Sequence, residues 1–168
     1  IKPPIPGVEL AMPLRTVEDM DALVQRVAQQ PKHVTVIGGG FIGVEVAENL
    51  RHKDIAVTLV GAAPQVVSPI DAEMVQQVHK VMQVNGIDLR LNSQAAAIEE
   101  NAVVLANGDR IETDLIVLAI GVRPDVTLAK QIGLMIGERG GIEVDEFNRT
   151  SIKNIYAIGD AAQKRDAL

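Results

Sequence analysis

Cysteine is absent from the 168 residues, so no disulfide, thiolate metal site or redox thiol can be built within this chain. Tryptophan is absent as well, and Phe41, Phe147 and Tyr156 leave little surface on which nucleobases could stack. With a formal net charge of -6, the surface repels phosphate backbones, and nucleic acid is not an expected partner. No apolar run reaches the roughly 20 residues of a membrane span, and the first residues lack the basic and apolar regions of a signal peptide. A soluble cytoplasmic protein without membrane association is expected. His33, His52 and His79 are scattered without metal-ligand spacing, so no metal site is expected.

What is present is apolar and periodic. Hydrophobic residues make up 47% of the chain, enough to bury one core with an appendage. The chain starts at Ile1 in a proline-rich stretch (Pro3, Pro4, Pro6, Gly7), which suggests an excerpt of a longer polypeptide. Thr16 can cap a first helix, with Asp19 as its capping-box partner and Met20, Leu23, Val24 and Val27 as the apolar stripe. His33 to Ile37 reads as a buried strand, Phe41 to about His52 as an amphipathic helix, and Ala56 to Val60 as a second strand. That spacing predicts a compact βαβ crossover and a parallel sheet.

A further helix is expected from Asp71 to Val84, with Met74, Val78, Val81 and Met82 facing inward, followed by a strand from Ile87 to Leu91. The pattern then shortens to alternating runs at Ala95 to Ile98, Val103 to Leu105 and Arg110 to Glu112. Asn107-Gly108 reads as a primed hairpin turn within this antiparallel meander. Leu115 to Ile120 is another apolar strand, broken by Gly121 and Pro124. A domain boundary is placed near Gly121, and two short strands, Ile142 to Val144 and Ile155 to Ile158, are expected beyond it. The fold class is therefore α/β: a Rossmann-like parallel sheet with an antiparallel β-meander, followed by an incomplete segment.

The crossover carries Gly38-Gly39-Gly40-Phe41-Ile42-Gly43, a G-x-G-x-x-G turn between a strand and a helix. Gly38 permits the tight turn, Gly40 lets the backbone approach a pyrophosphate, and Gly43 allows close helix packing. The helix N-terminus then offers N–H groups and partial positive charge to phosphate. An acidic residue for the adenosine ribose is expected about 20 residues later. Gly61 stands there instead, and Ala62-Ala63-Pro64-Gln65 supplies neither an acid nor an arginine for a 2′-phosphate. NADH and NADPH are expected to bind with similar affinity.

Four segments together resemble the pyridine nucleotide-disulfide oxidoreductase family: Pro3 to Gly7, Gly38 to Glu48, Ala119 to Pro124 and Ile155 to Ala162. The Gly-Val-Arg-Pro wording is most similar to the branch of coenzyme A-disulfide reductases, NADH oxidases and persulfide reductases. The resemblance implies a flavin domain split by an inserted nicotinamide domain. Residues 1–14 would then be a linker leaving the FAD domain, 15–121 the NAD(P)-binding domain, and 122–168 a partial FAD domain. It also implies that Phe41 lies over the flavin, that Glu45 stands near the nicotinamide, and that Gly121 lets a strand pass close to the nucleotide. Asp160 matches the aspartate that bonds the flavin ribityl chain, with a helix expected after it.

The implied cofactors are NAD(P)H and, in the full-length parent only, FAD. The implied partners are the parent's FAD and dimerisation domains, in a homodimeric enzyme that passes hydride from NAD(P)H to FAD. The final acceptor would be a disulfide, persulfide, peroxide or oxygen. No catalytic residue is expected in this chain, which should bind nucleotide without turnover. Two other readings stand beside this one. One is a self-standing nucleotide-binding sensor without flavin. The other is a flavin-free Rossmann dehydrogenase, which lacks a Tyr-Lys or His-Asp pair for proton transfer.

Overall fold

The computed structural model describes residues 3–164; Ile1, Lys2 and residues 165–168, which belong to the expected outer ranges, lie outside the described residues. The chain divides into two compact units, Ile1–Gly121 and Val122–Leu168. Among the described residues no helix is long and apolar enough to cross a membrane.

The first unit is built on a five-stranded parallel sheet. Its strands are β1 (Met12–Pro13), β2 (His33–Ile37), β3 (Ala56–Val60), β4 (Ile87–Arg90) and a later strand, β8 (Leu115–Leu118). Their order across the sheet is β1-β8-β2-β3-β4, so β2 is central and the order reverses beside it. In register, Val34 of β2 faces Val57 on one side and Leu115 on the other. The intervening strands β5 (Ala95–Glu99), β6 (Ala102–Leu105) and β7 (Arg110–Glu112) form a separate antiparallel sheet, as the alternating pattern predicts.

Alternation along the strands sorts the core into two layers. Val34, Val36, Val57, Leu59 and Val117 point to one side, where they meet Leu23 of α1 (Val17–Val27), Ala47 and Leu50 of α2 (Phe41–Arg51), and Val75 and Met82 of α3 (Ala72–Val84). Ile37, Val60, Ile116 and Leu118 point to the other side, against Ile98, Val103 and Leu105 of the meander. Residues 3–14 pack within this unit: Ile5 and Val8 join the meander core, and the Ile98 N–H donates to the Pro6 carbonyl at 2.8 Å.

The capping box of α1 is present, with the Asp19 N–H donating to Thr16 Oγ1 at 3.2 Å and the Thr16 N–H to Asp19 Oδ2 at 3.2 Å. The helix faces differ from expectation in part. Met20 and Val24 are about half exposed, because an open groove of about 970 Å³ separates α1 from α2 and these side chains line it. In α3 the inward face is Val75, His79 and Met82, while Met74 and Val81 are exposed. Val75, His79 and Met82 sit four and then three residues apart, which puts them in one line on the helix.

A turn and a strand also depart from expectation. A primed two-residue hairpin needs positive φ at its first central residue, here Asn107, and in type I′ at both. Only Gly108 has it, at 92°, while Asn107 accepts the Asp109 N–H through its side chain, so β6 and β7 join through a longer turn closed by Gly108. The other departure lies in the second unit, where Ile155 to Ile158 forms a single bridge, Arg149 to Tyr156, instead of a strand.

The second unit contains α4 (Thr127–Gln131), β9 (Ile142–Val144) and β10 (Ala162–Lys164), and β9 pairs in parallel with β10. Val144, Leu134 and Ala129 are its buried hydrophobic residues among those described. Asp145 organises its turn by accepting the N–H groups of Phe147 and Arg149, and it pairs with the Arg149 guanidinium at 2.7 Å.

The start of β2 depends on an ionised side chain. Asp114 Oδ2 accepts the Lys32 N–H at 2.7 Å and the His33 N–H at 3.0 Å. The His33 bond, followed by the Lys32 bond, holds this carboxylate below its usual pKa. A lowered folded-state value means that the stabilisation is present above the unfolded-state pKa of roughly 3.9 and is lost as pH falls through the folded one. The stability of Asp114→Asn to urea should therefore fall less steeply than that of the native chain as pH drops below about 4. An identical acid slope would show that Asp114 does not carry the effect.

Candidate functional site

At the carboxyl end of β2 the chain turns sharply. Gly38 adopts a φ of 121°, and its N–H donates to the Val60 carbonyl at 2.8 Å, tying the turn to β3. A Cβ at Gly38 would overlap the Ala119 carbonyl oxygen just beyond β8, so only glycine fits. The turn thus sits in the crevice beside β2 where the strand order reverses, which is where open α/β sheets hold ligands.

Gly40 caps α2 with φ −76° and ψ −177°, without a side-chain cap, and its carbonyl accepts the Val44 N–H at 3.0 Å as the first helical bond. The N–H groups of the first helical turn therefore have no acceptor within the helix. A Cβ placed on Gly40 would meet nothing within 4 Å, so the space in front of these donors is open. This cradle suits a diphosphate, which needs several N–H donors, close backbone approach and the positive end of a helix dipole. Behind it, a Cβ on Gly43 would overlap the Gly38 carbonyl oxygen and touch Ala119, so α2 rests directly on the turn.

The other expected residues are distributed around this cradle. Phe41 is 63% exposed on the first turn of α2, and Ile42 is half-buried against the helix-side core. Glu45 is exposed and has no ion-pair partner among the described residues. Its backbone carbonyl accepts the Asn49 side-chain N–H at 2.8 Å. Gly61 is buried beside the turn, its N–H donating to the Arg90 carbonyl at 2.9 Å and its carbonyl accepting the Ser93 N–H at 2.9 Å. A Cβ there would press on Leu91 at 3.2 Å and approach the Gly39 Cα at 4.0 Å. Gly121 ends the first unit with a φ of 90°.

Asp160 belongs to the second unit. It is exposed in a single 3-10 turn, Gly159–Ala161, and strand β10 follows where a helix was expected. Ala162 to Lys164 extends along β9 instead, and that parallel ladder takes up the backbone groups a helix would have used.

Sequence reasoning missed Val66, Val67 and His79. The Val67 N–H donates to the Gly39 carbonyl at 2.7 Å, and the Val66 N–H donates to His79 Nε2 at 3.2 Å. The available signal was a polar residue in line with Val75 and Met82 on the apolar face of α3. No cluster of three or more metal-ligating side chains occurs among the described residues.

The family model for pyridine nucleotide-disulphide oxidoreductases matches residues 1–167. The chain belongs to this family. It is similar to the NADH oxidase of Methanocaldococcus jannaschii, with 37% identity over 99% of this chain and 38% of that protein. Among solved structures in the family's fold, reduced CoADR-RHD of Bacillus anthracis is 48% identical at a TM-score of 0.90, over 96% of this chain and 30% of that one. Water-forming NADH oxidase of Lactobacillus brevis bound to NADH is 30% identical at a TM-score of 0.86, over 96% of this chain and 37% of that one. The chain spans well under half the length of these relatives.

Proposed function

We propose that this chain is the nucleotide platform of an FAD-dependent NAD(P)H oxidoreductase, holding the diphosphate of NAD(P)H over Gly40 at the N-terminus of α2. The observation that carries this reading is the open space in front of Gly40 and the unaccepted first-turn N–H groups. Family membership and an NADH-bound relative of the same fold support it. Gly38 and Gly43 shape the turn, Ile42 backs it, and Phe41 and Glu45 lie along the exposed side of α2, where a nicotinamide would extend. In the parent, flavin would accept hydride and relay electrons to a disulfide, persulfide, peroxide or oxygen.

The residues of this chain do not fit FAD as a group held here. The chain has one glycine fingerprint, and Asp160 stands in a short exposed turn with no helix behind it among the described residues. The chain purified by itself is expected to be colourless and unable to oxidise NADH. Stoichiometric flavin absorbance through purification would overturn that expectation.

Nucleotide selectivity should be weak. Neither charge needed for selection lies between Gly61 and Gln65, and the Gln65 side chain is committed to the Ile70 carbonyl at 2.7 Å. Arg90, whose carbonyl borders Gly61, pairs with Asp88 at 2.9 Å. Calorimetric titration should find NADH and NADPH affinities within about tenfold, or about 1.4 kcal/mol. A larger gap would mean that another residue selects the ribose, and failure of both to bind would overturn the platform reading itself.

A further inference from the structure

Behind the glycine turn lies a brace that the family motif does not contain. Val67 is 5% exposed, β-branched and held at a φ of 47°, a left-handed conformation that such residues rarely adopt. Strain of this kind persists only where the surroundings over-determine it. Two bonds do so here. The Val67 N–H donates to the Gly39 carbonyl at 2.7 Å, and the Val67 carbonyl accepts the Ile70 N–H at 2.9 Å. The preceding residue, Val66, is fully buried, and its N–H donates to His79 Nε2 at 3.2 Å in the interior.

The direction of these bonds has a consequence at the ligand side. In a trans peptide the C=O and N–H point in opposite directions. Anchoring the Gly39 carbonyl on Val67 therefore turns the Gly40 N–H away from Val67, towards the open space in front of the cap. Glycines at 38, 39 and 40 would otherwise let this peptide rotate cheaply. His79 is 8% exposed, and to accept the Val66 N–H it must leave Nε2 unprotonated.

We propose that His79 is a positioning residue for the nucleotide diphosphate, acting through Val66 and the left-handed Val67 to fix the Gly39–Gly40 peptide with its N–H facing the phosphates. This inference rests on the platform reading above. It concerns binding geometry and involves no proton transfer to the ligand.

The test compares His79→Leu, which keeps bulk but removes the acceptor, with His79→Gln, which can restore an acceptor oxygen on Val66. Two probes are titrated into each protein: ADP-ribose, which carries the diphosphate, and adenosine, which does not. His79→Leu should weaken ADP-ribose roughly tenfold while leaving adenosine within about twofold, and His79→Gln should recover most of the ADP-ribose affinity. Unchanged ADP-ribose affinity in His79→Leu would overturn the proposal, as would an equal loss for both probes, which marks a general structural role. If the native chain itself fails to bind ADP-ribose, the platform reading falls first, and that result is separate from any effect of the variants. Should His79→Leu not fold, nitrogen NMR of the native chain decides: the Nδ1-protonated tautomer of His79 is expected, and a dominant Nε2-protonated ring would overturn the brace.

Discussion

Gly40→Asp is expected to weaken nucleotide binding by about a hundredfold or more without destabilising the protein. A Cβ at this position would meet nothing within 4 Å, and the φ of −76° and ψ of −177° there are those of an ordinary helix cap. Aspartate is a better cap than glycine by a few tenths of a kcal/mol, which translates to a rise of about 1 °C in Tm. The same carboxylate would occupy the donors meant for phosphate and place a negative charge against two more. NADH affinity should fall by about a hundredfold or more, equivalent to about 2.7 kcal/mol. Gly40→Asn has the same shape and caps equally well without the charge, so it should lose clearly less. Calorimetric titration and thermal melts of the two variants check both halves. Retained NADH binding in Gly40→Asp would place the diphosphate elsewhere.

Gly43→Ala should do the reverse and strike stability first. Alanine is favoured over glycine by about 1 kcal/mol in a helix interior, so α2 taken alone would gain. Packing opposes this gain, because the added methyl would overlap the Gly38 carbonyl oxygen, which is backbone and tied to β3. Overpacking of this kind costs about 1–3 kcal/mol and occasionally more. The helix must lift from the turn, and we expect a net loss of up to about 2 kcal/mol together with weakened nucleotide binding. Urea unfolding measures the balance. A stability equal to or above that of the native chain would show that the turn can yield, and that Gly43 does not set the spacing.

The parallel sheet and its crossover were legible because burial on both faces writes itself as apolar runs, unbroken in Leu115 to Leu118 and interrupted only by Thr35 in Val34 to Ile37. The capping box at Thr16 and Asp19 was legible for a similar reason, since both partners are three residues apart. Helix faces were read less well. Met20, Val24, Met74 and Val81 are apolar and correctly spaced, yet whether such a position is covered depends on what packs beyond it. The Ile155 to Ile158 run has strand composition, but its pairing stops at the single bridge of Tyr156 with Arg149, so pairing overrode propensity.

The candidate site divides along the same line. Gly38, Gly40 and Gly43 could be assigned roles from spacing because each answers a local steric demand. The brace could not, because Val67 gives no sign of a left-handed backbone and His79 meets Val66 only after α3 has folded against the sheet. Gly61 lies between. Its identity announced a missing ribose acid, but the pressure of Leu91 on that position became visible only in three dimensions.

The pairing of β1 with β8 sets where the first unit can be joined to anything else. Met12 lies opposite Val117 and Pro13 opposite Leu118, so a chain running into the sheet at one point leaves it one strand away, about 4.8 Å across. Everything between, some hundred residues of sheet, helix and meander, is an excursion that returns to its starting place. The first unit is therefore closed at a short seam, where its earliest strand is held beside its last one.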